Sequence, residues 1–262
     1  DAYDPMVRLA GGIPIHIPLK ASNNFAIDWS ALASKITPRT RAIMVNSPHN
    51  PTGAVWSMAD LDAFAEIVKG TNILIISDEV YEHIVFDGAQ HASVLLHPEL
   101  RKRSFVCGSF GKTYHITGWK IGYCIAPAFL TAEFRKLHQW VTFSSATPLQ
   151  YALAEYLKEP AHYLGLSDFY QKKRDLFSSQ FVGSRWKVLP SAGSFFQCLD
   201  YSAISNEKDV DLADRLTREI KVASIPVSVF YETDPGDKIL RFCFAKEDEV
   251  LVEAAKRLTQ IL

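Results

Sequence analysis

The chain has 262 residues, of which 48% are hydrophobic, and a formal net charge of -1 at pH 7. This length can bury a substantial core and fits one large domain, or one large and one small. The nearly balanced charge argues against a nucleic-acid or anionic-membrane partner, and no apolar run is long enough to cross a bilayer.

The cysteines predict a reducing environment. They lie far apart inside apolar runs, and no two of them form a C-x-x-C pair. Disulfide frameworks and zinc sites need closer and more regular spacing. We therefore expect reduced, buried cysteines in a cytoplasmic protein without a bound metal. The four residues are Cys107, Cys124, Cys198 and Cys243.

The first half of the chain has the pattern of an α/β domain. Four short apolar runs rich in β-branched residues are each followed by turn residues, which is typical of buried strands. Helical patterns lie between them, and strands that alternate with helices indicate a mostly parallel sheet. The predicted strands are residues 42–45, 73–76, 105–107 and 121–126.

The sequence of this half also predicts three helices. Ser57 can cap a helix with Asp60 reaching back, and Gly70 can close it. Two more helices are predicted over about residues 131–141 and 148–158. The apolar face of the first helix would be Leu61, Phe64, Ala65 and Val68.

The pattern changes near residue 160. We assign residues 1–160 to a large domain and residues 161–262 to a connecting helix and a small α+β domain. The second part has two predicted strands, residues 195–199 and 239–244. Its two further helices would bury Leu212, Leu216 and Ile220, and Val250, Ala254, Leu258 and Ile261.

Polar residues follow the predicted strands, where ligands bind in open parallel sheets. N-S-P-H-N-P-T-G, residues 46–53, would present Asn50 from a rigid backbone. S-D-E-V-Y-E, residues 77–82, places Asp78 and Tyr81 three positions apart. An ordinary Asn-Pro turn and a helix N-cap aspartate are the competing structural interpretations.

Three cationic residues also have both a structural and a functional interpretation. Lys112 lies in the small turn G-S-F-G-K, where it is either a solvated lysine or a desolvated amine that attacks carbonyl compounds. Ser109 and Lys120 around that turn would suit a phosphate dianion, although a solvated lysine is the simpler interpretation of Lys120. Arg241 interrupts an apolar strand, as part of either a buried ion pair or a fork for a substrate carboxylate.

Together these groups are what a pyridoxal 5′-phosphate (PLP) enzyme acting on amino acids requires. The sequence resembles the fold-type I, class I and II aminotransferases over essentially its whole length, especially the methionine and kynurenine aminotransferase-like subgroup. The resemblance implies an aspartate aminotransferase-like, three-layer α/β large domain with a mostly parallel sheet, and a small α+β C-terminal domain. The matching segments are residues 46–53, 77–82, 109–122 and 240–245.

The resemblance implies a role for each residue. Lys112 would form the Schiff base with PLP and move the substrate proton. Asp78 would keep the pyridine nitrogen protonated, and Tyr81 would hydrogen-bond the ring oxygen. The other implied contacts are Asn50 with the ring oxygen and the substrate, Ser109 and Lys120 with the phosphate, Arg241 with the substrate carboxylate, and Tyr3 stacked on the ring.

Two positions depart from the family pattern. Lys120 stands where many members have arginine, so the charge is kept but the bidentate fork is lost. His115 stands where most members have a small residue, although the methionine aminotransferase-like subgroup resembles this sequence there.

The predicted function is transamination between an amino acid and a 2-oxo acid in a homodimer. The alternatives are a PLP-dependent carbon–sulfur β-lyase with the same fold, and a non-catalytic chain, against which Lys112, Asp78 and Arg241 argue. A non-acidic donor is expected: methionine, an aromatic amino acid or glutamine. Residues 138–144 contain no arginine for a second carboxylate, and Trp140 would suit an apolar side chain.

Members of the family carry roughly one hundred residues before the position that matches Tyr3. A segment of that length is a large part of a domain. The resemblance implies that this segment supplies backbone N–H groups for the phosphate and a residue of the neighbouring subunit's site. We therefore expect residues 1–262 alone to bind PLP weakly and to turn over poorly.

Overall fold

A computed structural model describes residues 2–261 of the chain. All four strands predicted in the first half are present and form one sheet in chain order. The first three strands run parallel, whereas the fourth is antiparallel to the third. The reversal arises because residues 110–121 form a compact turn and no crossover helix. The strands are β1 (Ala42–Asn46), β2 (Leu74–Asp78), β3 (Ser104–Ser109) and β4 (Gly122–Ile125).

Nine helices accompany this sheet and the connection that follows it in the described residues. No helix within residues 2–261 is both long and apolar enough to span a membrane. The helices are α1 (Tyr3–Leu9), α2 (Trp29–Lys35), α3 (Met58–Val68), α4 (Pro98–Arg101), α5 (Phe110–Thr113), α6 (Ala128–Val141), α7 (Thr147–Tyr156), α8 (Ala161–Leu164) and α9 (Leu166–Ser179).

Helix α3 confirms its sequence prediction in full. The Ser57 side chain accepts from the backbone N–H of Asp60, and the Asp60 carboxylate accepts from the Ser57 N–H at 2.8 Å. Gly70 follows the helix with a φ of 71°, a backbone conformation that glycine adopts at little cost. The four predicted apolar residues, Leu61, Phe64, Ala65 and Val68, are buried.

A second sheet contains the two strands predicted near the end of the chain, and all its pairs are antiparallel. Its order is β5-β6-β8-β7, and it includes two two-residue strands that the sequence did not predict. The domain boundary at residue 160 stays a prediction. The elements are β5 (Lys187–Val188), β6 (Phe196–Asp200), α10 (Asp209–Arg215) with the π-helical turn Leu216–Ile220, β7 (Ile225–Pro226), β8 (Ile239–Cys243) and α11 (Asp248–Thr259).

The apolar face predicted for α11 is correct at Leu258, which is buried, and at Ala254 and Ile261, which are half-buried against the core, but it is wrong at Val250. Val250 is 52% exposed, whereas Leu251 and Ala255 are buried together with Leu258. Both sets of residues are apolar at helical spacing, so the sequence pattern fits either face. Packing of α11 against α9 selects the face that is buried.

The turn after β2 connects the two sheets. Tyr81, Ile84 and Phe86 are buried in the same cluster as Tyr170 of α9 and Phe242 of β8. The polar residues at the end of β2 are therefore held against a core that belongs mainly to the second sheet. This arrangement brings the carboxyl ends of β1–β3 next to β8.

Gly108 allows β3 and β4 to approach closely. The Tyr123 ring of β4 lies over Gly108 of β3, and a Cβ atom at that position would overlap the ring. The Tyr123 hydroxyl donates to the Glu82 carboxylate, which links β4 to the turn after β2. Gly108 is thus required for packing and for the position of Tyr123.

The prediction that all four cysteines are buried is wrong for three of them. Cys198 is buried, whereas the others are half-buried free thiols. Cys107 and Cys124 face each other across the β3–β4 pair, and Cys124 lies on the last strand of that sheet. Cys243 ends β8 beside the polar residues described below.

Candidate active site

The turn that carries Lys112 follows β3 directly. The Ser109 hydroxyl accepts from the Gly111 N–H at 3.1 Å and caps the single turn of α5. Lys112 is half-buried, with its Nζ 5.8 Å from the ring centroid of Tyr81 and 5.4 Å from that of Phe195. A solvated lysine would not be packed between two rings, so the structure favours the desolvated amine.

Desolvation by burial is the main cause that lowers the pKa of Lys112. The nearby cations of Lys120 and Arg241 lower it further, while Cys243 and Asp78 oppose the change. A lower pKa leaves more of the amine unprotonated near neutral pH, which is what a nucleophilic or proton-accepting lysine needs.

Asp78 lies at the end of β2 and receives hydrogen bonds from two parts of the chain. Its carboxylate accepts from the Tyr3 hydroxyl and from the Val80 N–H at 3.2 Å. No helix begins there, so the N-cap interpretation is excluded. Burial and the Asp78 charge raise the pKa of Tyr3, which keeps its hydroxyl protonated and able to donate.

Arg241 and Asn50 meet across the two sheets. Nη1 of Arg241 in β8 donates to Oδ1 of Asn50, in the loop after β1, at 2.5 Å. The guanidinium lies 4.0 Å from the ring centroid of Phe196, and its buried Nε has no hydrogen-bond partner. Burial lowers the pKa of Arg241. Within residues 2–261 no carboxylate forms a salt bridge with Arg241, so the structural ion-pair interpretation is excluded for this part of the chain.

Tyr81 is a buried residue that lies between Lys112 and Arg241. It is 3% exposed, and its ring packs edge-on against Phe195 with centroids 5.0 Å apart. Burial raises the pKa of Tyr81, while the Arg241 charge opposes the change. A neutral phenol is therefore present between Lys112 and Arg241.

The two proposed phosphate ligands, Ser109 and Lys120, have fewer contacts with each other than the residues described above. The Ser109 hydroxyl caps α5, as described above, and Lys120 is exposed with a φ of 55°. Lys120 is close enough to lower the pKa of Lys112, but the described residues show no hydrogen bond between Ser109 and Lys120. Their shared role as a phosphate site stays a prediction.

Sequence reasoning missed two residues of this cluster. Phe195 directly precedes β6 of the second sheet and contacts Lys112 and Tyr81. Cys243 lies two positions after Arg241, on the same face of β8. Neither has a motif of its own, although the alternation around Arg241 could have indicated Cys243. Trp140, which we considered as a pocket aromatic, is 84% exposed on α6 and lies outside this cluster.

The sequence matches the family described as aminotransferase class I and II over residues 1–258. The chain belongs to the class I and II aminotransferases. A methionine aminotransferase from Escherichia coli is 48% identical over 262 residues, which are 100% of this chain and 68% of that protein. Human kynurenine–oxoglutarate transaminase 3 is 33% identical, over 98% of this chain and 63% of that protein.

Solved structures agree with this assignment. An E. coli protein described as having a methionine aminotransferase function superimposes with a TM-score of 0.96 at 49% identity, covering 99% of this chain and 69% of that one. An aspartate aminotransferase from Thermus thermophilus gives a TM-score of 0.90 at 30% identity, covering 100% of this chain and 67% of that one. The aminotransferase thus has the predicted aspartate aminotransferase-like fold and catalyses amino-group transfer between an amino acid and a 2-oxo acid.

Proposed function

We propose that this aminotransferase uses PLP, held in the cluster around Lys112, and that its amino donor is non-acidic. The observation that carries the proposal is Arg241, a half-buried guanidinium with an amide partner and no carboxylate partner in residues 2–261. A charge left in this state is costly unless a ligand completes its hydrogen bonds, and such groups mark binding sites. The α-carboxylate of an amino acid matches the two-pronged geometry of guanidinium.

The residues present fit the chemistry of PLP. Lys112 offers an amine with a lowered pKa for its carbonyl group, and Asp78 offers a carboxylate for its ring nitrogen. Tyr3, already in contact with Asp78, can cover the ring, and Tyr81 and Asn50 can bond the ring oxygen. When bound, PLP supplies the electron sink that stabilises the charge left at the substrate Cα. The remaining ligands would be Ser109 and Lys120 for the phosphate.

Each side chain then has one task in the transfer. With PLP bound, the Lys112 amine would accept the proton from the substrate Cα as a positioned base, and would then donate it as a positioned acid to the cofactor carbon that carries the transferred amino group. Asp78 would hold a proton at the ring nitrogen of PLP, since its negative charge favours the protonated form there. Arg241 fixes the substrate carboxylate and thereby orients the Cα–H bond towards Lys112.

The donor preference is supported by the apolar surroundings of Lys112. The rings of Phe195 and Tyr81 lie within 6 Å of its Nζ, and residues 138–144 contain no second arginine. Two relatives named above act on methionine and kynurenine. We expect kcat/KM for methionine or phenylalanine to exceed that for aspartate, measured with a common 2-oxo acid. A higher value for aspartate would contradict the preference.

The same assay distinguishes the carbon–sulfur β-lyase alternative. A β-lyase would release pyruvate and ammonia from cystathionine, whereas a transaminase consumes the added 2-oxo acid and forms a new amino acid. Production of pyruvate and ammonia without any consumption of the 2-oxo acid would replace the proposal.

Arg241→Gln should raise KM for the amino donor and lower kcat/KM by about 10²-fold, because a charge-assisted bidentate contact is worth about 1.5–3 kcal/mol. Its pairing with Asn50 makes glutamine a suitable replacement, since an amide can still reach Asn50. Arg257→Gln is the matched control, because Arg257 pairs with Glu253 on the exposed side of α11. Unchanged kcat/KM in Arg241→Gln would remove Arg241 from the substrate site.

A homodimer in the cytoplasm is part of the same proposal. Apolar side chains on and after α6 are strongly exposed, as a surface that pairs with another copy would be. The free thiols are compatible with a reducing compartment. Sedimentation velocity on the protein tests the dimer, and a monomer at micromolar concentration would contradict it. The exposed residues are Phe129, Leu137, Trp140, Val141 and Phe143.

A further inference from the structure

His115 has a strained backbone three residues after Lys112. Its φ is 57°, a left-handed conformation that residues other than glycine rarely adopt. The turn containing it closes α5, with the Ile116 N–H donating to the Gly111 carbonyl at 3.0 Å. Such strain persists where neighbouring groups hold the residue in place.

The side chain of His115 contacts Tyr170. The Tyr170 hydroxyl lies 3.1 Å from Nδ1 of His115, and Tyr170 is 2% exposed within α9. Burial raises the pKa of Tyr170 to about 12, so its hydroxyl keeps its proton and can donate to a ring nitrogen. The two residues are 55 positions apart in the chain, which makes this a tertiary contact between the catalytic turn and the connecting helix.

Tyr170 also approaches Lys112 by a second route. Its ring centroid lies 5.7 Å from that of Phe195, and Phe195 is the ring 5.4 Å from the Lys112 Nζ. One buried tyrosine therefore contacts both the His115 side chain, on the turn that follows Lys112, and the Phe195 ring beside the lysine amine.

We propose that His115 is a positioning residue, and that its hydrogen bond with Tyr170 holds the Lys112 amine in its desolvated place against Phe195. This inference rests on the function proposed above, since it concerns the same lysine.

The test measures the Lys112 amine directly, in the protein without PLP. Labelling by trinitrobenzenesulfonate is followed against pH, and the Lys112 peptide is quantified by mass spectrometry. The midpoint reports the pKa of this one amine, so the result does not depend on activity. The other titratable and charged groups around it, kept in all variants, are Asp78, Tyr81, Lys120, Arg241 and Cys243.

Tyr170→Phe and His115→Gly should each move the midpoint upward by about 0.5 pH units, an about threefold smaller free-amine fraction. The shift is upward because the Lys112 amine would be less desolvated, which favours its protonated form. Glycine adopts a positive φ without strain, so His115→Gly should unfold at the same or a higher temperature than the wild type. His115→Asn should keep the wild-type midpoint, because asparagine tolerates this backbone and its carbonyl oxygen can accept from Tyr170.

Tyr201→Phe is the matched control, since Tyr201 is also buried and donates to the Glu207 carbonyl at 3.0 Å, away from Lys112. An unchanged midpoint in both Tyr170→Phe and His115→Gly would overturn the inference. A shift of the same size in Tyr201→Phe would do so as well, because it would reflect general loosening. Failure of PLP to bind the wild type would refute the proposed function and leave this titration informative.

Discussion

Lys112→Ala should abolish transamination while the protein keeps its fold. The lysine amine is the only amine that the structure places between the Tyr81 and Phe195 rings within residues 2–261. Loss of a positioned base and acid costs about 10²–10⁴-fold, and loss of the amine that we propose to hold PLP adds to this. We therefore expect a decrease of at least about 10⁴-fold in kcat/KM. Single-turnover absorbance and steady-state assays with methionine would measure it.

The folded state of Lys112→Ala is checked by circular dichroism and thermal unfolding. Lys112 is half-buried and has no ion-pair partner within residues 2–261, so it contributes little to stability and the unfolding temperature should change by only a few degrees. Lys69→Ala is the matched control, because Lys69 is exposed and pairs with Glu66. Turnover of Lys112→Ala near the wild-type rate, with a native circular dichroism spectrum, would show that another group performs its task.

Asp78→Asn should leave the cofactor bound but reduce kcat by about 10³-fold, within the range of a lost acid–base contribution. The asparagine carbonyl can still accept from the Val80 N–H, and its amide N–H can donate to the Tyr3 hydroxyl oxygen, so the local structure should be retained. It carries no charge, so it no longer favours a proton on the ring nitrogen. The substrate Cα deuterium isotope effect on kcat should increase, because proton removal becomes slower.

The measurement is a comparison of PLP affinity, kcat and isotope effect in wild type and Asp78→Asn. Asp214→Asn is the control, because Asp214 is exposed on α10 and pairs only with Arg218 within the described residues. Loss of PLP affinity in Asp78→Asn with an unchanged kcat at saturation would indicate that Asp78 anchors the cofactor and does not tune its protonation.

Local features were predictable from the sequence because the residues that determine them are neighbours in the chain. The α3 capping box needs only Ser57 and Asp60, and the end of β2 needs only an apolar run before Asp78. The two-residue strands β5 and β7 have no periodicity to detect, and the face of α11 was decided by its packing against α9. These are tertiary effects that a local pattern does not contain.

The residues of the candidate site were likewise predictable only where a local sequence pattern contains them. The family resemblance identified Lys112, Asp78 and Arg241 because each lies in a segment with a recognisable order of residues. Phe195 and the Tyr170–His115 contact were not predicted, since they depend on α9 and the second sheet packing against α5. The same holds for the Tyr3 hydroxyl on Asp78, a contact between residues 75 positions apart.

The close approach at Gly108 has a consequence for how related sequences should be compared. A glycine shortly before a lysine is easily mistaken for part of a phosphate loop, but here the neighbouring strand requires it, because Tyr123 occupies the space of a side chain. Any substitution at position 108 must therefore be accompanied by a smaller residue at position 123, and that change would also remove the hydroxyl that contacts Glu82. Positions 108, 123 and 82 should consequently covary as a set across an alignment, independently of the residues that bind the cofactor.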